Sequence, residues 1–164
     1  MSVVGSRGIA LAVLTVAVGA ALGSCDPVAA VTVTSALRTA PATDCPARAL
    51  ARSSLIDSIR PAAAYPRGDS GSVMARLRNG NVVEVIDQWV FVGVRKVRDS
   101  TNLVVMFRLP GRPTWAVDDE DSRRLAQVGQ ALADDVVTIC TPAAATRVSC
   151  RVSGMFWTKA CGRG

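Results

Sequence analysis

Residues 73–109 read VMARLRNGNVVEVIDQWVFVGVRKVRDSTNLVVMFRL, and this stretch decides the fold class. Val73, Ala75 and Leu77 alternate with Met74, Arg76 and Arg78. That is the period-two pattern of a strand with one buried face. Asn79-Gly80 is a strong type I′ hairpin signal, because both turn positions need positive φ. Val82 to Ile86 and Trp89 to Val94 continue as β-rich runs. Arg95, Lys96 and Arg98 lead into an Asp99-Ser100 turn. Leu103 to Leu109 is a further apolar run closed by Pro110-Gly111, and Trp115-Ala116-Val117 predicts one more short strand.

Helical patterns flank this region. Cys45-Pro46 opens one, with proline suited to the first helical position. Ala47, Ala51, Leu55 and Ile59 recur every four residues, Leu50 and Ile56 widen the stripe, and Pro61 ends it. A second helix is predicted over Asp118 to Asp135. Asp118 stands at the cap, acids crowd the first turn, and Leu125, Val128 and Leu132 form the buried stripe. Gly129 weakens its middle. Val136 to Cys140 reads as a strand, and Arg147 to Val152 and Met155 to Thr158 read as two strands joined at Ser153-Gly154.

The expected fold is α+β or mainly β: a small antiparallel barrel or curled sheet with two packed helices, stabilised by disulfides. A helix set between the early and the final strands, after a half rich in glycine and valine, resembles an OB-fold. That resemblance implies a face on which arginines and aromatics meet an anionic polymer.

The N-terminus carries different information. Met1 to Arg7 holds one positive charge, Gly8 to Gly23 is apolar, and Leu22-Gly23-Ser24-Cys25 follows. A charged head, an apolar core and small residues before a break are the parts of a secretory signal peptide. The last four residues resemble the bacterial lipoprotein signal. The resemblance implies recognition through Leu22, Gly23 and Ser24, cleavage before Cys25, and a diacylglyceryl group on its thiol. Asp26 stands where some Gram-negative lipoproteins carry an inner-membrane retention signal. Ordinary secretion and an uncleaved anchor are the competing readings. The chain then divides into a signal peptide (1–24), a lipidated cysteine with a flexible tether (25–43), and a single globular domain (44–164). A short strand around Val31-Thr32-Val33-Thr34 is the alternative to the tether. The domain is expected on the extracytoplasmic side of a bacterial cell membrane, held there by its lipid.

Five cysteines stand at positions 25, 45, 140, 150 and 161. An odd count in an exported chain leaves one thiol over. If Cys25 carries lipid, four remain for two disulfides, with three pairings open. The ten residues between Cys150 and Cys161 fit a closed hairpin, which favours that pair and leaves Cys45 with Cys140 to tie the first helix to the sheet. No CxxC occurs, and the spacings do not suit zinc.

The sequence contains no histidine. That excludes Ser-His-Asp and Cys-His catalysis, imidazole metal sites and histidine pH switches. No serine sits in a nucleophile elbow, and no cofactor is expected. Asp118 to Asp121 lacks the alternating ligands of an EF-hand loop and reads as a helix start. Arg67-Gly68-Asp69-Ser70 reads as a turn.

The formal charge is +6, and nearly all of the basic residues are arginine. Arg76, Arg78, Arg95, Lys96, Arg98 and Arg108, with Trp89 and Trp115, make the sharpest candidate binding surface. The bland alternative buries Trp89 and Phe91 and scatters the arginines. Two functions follow. One is a non-catalytic envelope lipoprotein that binds a protein partner as an accessory module of a cell-envelope assembly. The other is an OB-like module for an anionic polymer or headgroup: nucleic acid, acidic glycan or lipid. A contiguous arginine face beside aromatics favours the second, and an exposed apolar patch favours the first.

Overall fold

The computed structural model describes residues 29–62, 71–78, 89–109, 117–141, 148–154 and 158–161. The signal region with Leu22, Gly23, Ser24 and Cys25 lies outside them. So do the Arg67–Ser70 turn, the Asn79-Gly80 turn, the strand expected at Val82 to Ile86, Trp115, and Met155 to Trp157.

Among the described residues, seven strands form one antiparallel sheet: β1 (Ala29–Leu37), β2 (Ile56–Pro61), β3 (Val73–Leu77), β4 (Trp89–Val97), β5 (Ser100–Leu109), β6 (Val148–Ser153) and β7 (Thr158–Ala160). Helix α1 (Cys45–Leu50) joins β1 to β2, and α2 (Asp119–Cys140) lies between β5 and β6. The order across the sheet is β2-β3-β4-β5-β1-β6-β7. Of the two expected arrangements, the curled sheet is adopted and the barrel is not, because among the described residues β2 and β7 stand at opposite ends of the strand order and do not pair with each other.

The largest correction is the tether. Ala29–Leu37 is a strand, paired with β5 on one side and β6 on the other. Its burial alternates strictly, with Ala29, Val31, Val33, Ser35 and Leu37 buried. The domain therefore includes Ala29 onward and does not start at residue 44.

The first helix is also shorter than expected. It starts at Cys45 with proline in its first turn and stops at Leu50. Ala51 is exposed where the four-residue stripe needed it buried. Ser53 turns the chain, its hydroxyl accepting from the Leu55 N–H at 3.3 Å. The β-branched Ile56 and Ile59 then enter a strand.

Helix α2 is longer than expected. Asp118 caps it, accepting from the Asp121 N–H at 2.7 Å. Residues 136–140 continue the helix instead of forming a strand, since Leu132, Ala133 and Val136 extend the buried stripe of Leu125 and Gly129. Gly129 is a point of close approach: a Cβ there would lie 2.7 Å from Val33 Cγ2 and 3.1 Å from the Phe107 ring. The glycine lets the helix settle onto β1 and β5.

The core lies between the helices and one face of the sheet, with Val31, Val33, Val90, Val92, Leu103, Val105 and Phe107 fully buried beneath α2 and α1. Both disulfides take the pairing favoured from spacing, Cys45 with Cys140 and Cys150 with Cys161. Because Cys140 is helical, the first joins α1 to α2 and not helix to sheet.

The open basic face of the sheet

The helices cover one face of the sheet, so strand alternation puts the other residues on the opposite face. The registers arrange that face in rows across the strands. The row nearest the Ala29 end runs Ser58, Arg76 and Trp89 on β2, β3 and β4. It continues through Arg108, one step beyond the Val90–Phe107 pair, to Ala30, Ser153 and Thr158. The next row runs Arg60, Met74, Phe91, Met106, Thr32 and Arg151.

At the β2–β4 side these rows build a cluster. The Arg60 guanidinium lies over the Trp89 ring, 4.0 Å from its centroid. Such a stack contributes about 0.5–1 kcal/mol at an exposed site. Arg76 pairs with Trp89 in register, and Arg108 flanks it on the next strand. Arg60, Arg76, Arg108 and Arg151 are exposed, and Trp89 is half-buried. Phe91, in the second row of this same face, is buried with 4 % of its surface exposed, so the face is covered there and accessible at Arg60, Arg76, Arg108 and Arg151.

The remaining candidates sit elsewhere. Arg78 is committed to the fold, because its guanidinium donates to the Ile56 carbonyl at 3.1 Å and its N–H donates to the Leu55 carbonyl at 2.8 Å. Arg95, Lys96 and Arg98 lie at the far tip of the β4–β5 hairpin, about 20 Å from Trp89 along the strand. Arg98 turns the chain with φ at 53°, and the Ser100 hydroxyl braces the turn by donating to the Val97 carbonyl at 2.8 Å. The surface expected as one patch is therefore two. Sequence patterns alone miss Arg60 and Arg151 as members of the cluster. The four-residue stripe puts Arg60 on a helix, and the signal that finds it is the strand pattern of Ile56 and Ile59.

Charge is segregated between the layers. The seven strands contain Arg60, Arg76, Arg95, Lys96, Arg108, Arg151 and Lys159 against a single acid, Asp57. Helix α2 contains Asp119, Glu120, Asp121, Asp134 and Asp135 against Arg123 and Arg124. The acidic helix start is occupied within the protein. Lys159 donates to the Val117 carbonyl at 2.8 Å and lies 3.4 Å from Asp119, and Arg124 pairs with Glu120. Among the described residues no group of His, Cys, Asp or Glu is arranged to hold a metal, and no helix is long and apolar enough to cross a membrane.

Comparison with protein-family models, curated proteins and solved structures finds no match to this chain.

Proposed function

We propose that this chain is an exported, lipid-anchored, non-catalytic module of a bacterial cell envelope that binds an anionic partner with the open face of its sheet. The observation that carries the reading is the cluster of Arg60, Arg76 and Arg108 around Trp89. A guanidinium is planar, always charged and weakly hydrated, so it suits phosphate and carboxylate groups. The segregation of bases to the sheet and acids to α2 supports the same face. Two disulfides suit an oxidising compartment outside the cytoplasmic membrane. Leu22-Gly23-Ser24-Cys25 supports the anchor.

The test uses immobilised polyphosphate and two triple variants of equal charge. Arg60→Ala/Arg76→Ala/Arg108→Ala is expected to elute at clearly lower salt than the parent. Arg95→Ala/Lys96→Ala/Arg98→Ala is expected to shift it less. Equal shifts in the two variants would remove the Trp89 cluster as the binding surface.

A protein partner is the second reading. It is favoured by exposed Val97 and Val148 at the Leu37 end of the sheet, and by exposed Ile139 beside the Cys45–Cys140 bond. A photo-crosslinker at Ile139 giving one discrete adduct in intact cells supports that reading, and no adduct removes it.

A further inference from the structure

We infer that the Trp89 end of the open face rests against the anionic bilayer surface that holds the lipid on Cys25. This rests on the anchor reading above and names the partner of the same face.

The first argument is chain length. Ala29 is paired with Leu109, and Ala30 is paired with both Arg108 and Ser153. From Ala29 onward the chain belongs to the sheet and supplies no slack. Cys25 is four residue steps before Ala29, a reach of at most about 14 Å. A long spacer would have let the domain stand away from the membrane. This upper bound is under two Debye lengths of about 8 Å at physiological salt, so a tether short of full extension brings the charges at the Ala29 end into the field of the surface.

The second argument is what stands at that end. Arg76, Trp89 and Arg108 share the terminal row with Ala30, and Arg60 and Arg151 occupy the row behind it. Each basic side chain near an anionic surface strengthens attraction about fivefold. Tryptophan favours the headgroup level, where its ring is half in hydrocarbon and its N–H stays wet.

The third argument is orientation. The acidic start of α2 lies on the covered face, held over Lys159 in the ladder row of Val31 and Val152. Lys159 and Arg124 offset part of the charge of Asp118 to Asp121, so an anionic surface repels that corner weakly and the arginines on the other face set the orientation. The domain therefore tilts with its open face toward the lipid and α2 away from it.

The experiment uses the full acylated protein, extracted from membranes, checked by intact mass and reconstituted into vesicles with brominated acyl chains. One set is phosphatidylcholine alone and the other includes phosphatidylglycerol. The Trp89 emission is the difference between the parent and Trp89→Phe. It is expected to be quenched with phosphatidylglycerol and released by high salt, and to be quenched less in phosphatidylcholine. Arg60→Ala/Arg108→Ala/Arg151→Ala, which keeps Trp89, is expected to weaken the docked state about a hundredfold. Quenching indifferent to phosphatidylglycerol, in protein that carries acyl mass, overturns the docking and leaves the anchor standing. If that protein still binds polyphosphate through Arg60 and Arg108, the arginines serve a soluble polyanion instead. Absence of acyl mass overturns the anchor and the docking with it.

Discussion

Three single positions show how tightly the two layers fit. At Gly129 a methyl group would stand 2.7 Å from a stiff, buried valine. Alanine is the better helix former by about 1 kcal/mol, yet overpacking costs about 1–3 kcal/mol. Gly129→Ala is therefore expected to destabilise, as a lower urea midpoint with an unchanged slope. A higher midpoint would mean that α2 does not sit on Val33. Ser35 is buried with its hydroxyl unpartnered among the described residues. Ser35→Ala should leave stability unchanged or raise it by about 1 kcal/mol; a loss of that size would reveal a partner for the hydroxyl. Phe107 is fully buried beneath α2, and Phe107→Ala should cost about 3–5 kcal/mol in the same assay.

At the scale of elements, the strands built from strong alternation are readable. Val73 to Leu77 announces itself by apolar residues at every second position, Leu103 to Leu109 by a continuous apolar run, and Asp118 announces α2 by its cap. Ala29 to Leu37 does not. Its buried positions include alanine and serine, and its outward positions are threonine and alanine. Small, uncharged, weakly alternating residues look like linker. What makes them a strand is pairing with partners 64 to 123 residues away. The same nonlocality misleads at Arg60, whose strand partner is Met74 on β3 and not a neighbour on its own segment. Arg95, Lys96 and Arg98 lie near a turn, as expected, but sequence adjacency to Trp89 hides a separation of six strand residues.

The disulfides act at this scale too. Cys45–Cys140 closes a sequence separation of 95 and Cys150–Cys161 one of 11. Loop-closure entropy assigns about 4.7 kcal/mol to a loop near the first size and about 3 kcal/mol to one near the second. Replacing the first pair by serine should lower denaturant stability more than replacing the second. The reverse order would show that native packing, and not chain entropy, sets their contributions.

For the whole molecule, the layers carry opposite charge: basic strands on one side, an acidic helix on the other. Arg60, Arg76, Arg108 and Arg151 stand toward the end from which the chain leads back to Cys25, and Arg38, Arg95, Lys96 and Arg98 stand at the opposite end, away from aromatics. A lipid anchor would make that arrangement purposeful, since it fixes which end of the domain meets the membrane. The most direct test is the intact mass of the protein extracted from membranes of the producing cell. The predicted species begins at Cys25 and carries at least a diacylglyceryl group there, with both disulfides closed. A mature chain without acyl mass, or one that still contains residues 1–24, would contradict the anchored reading.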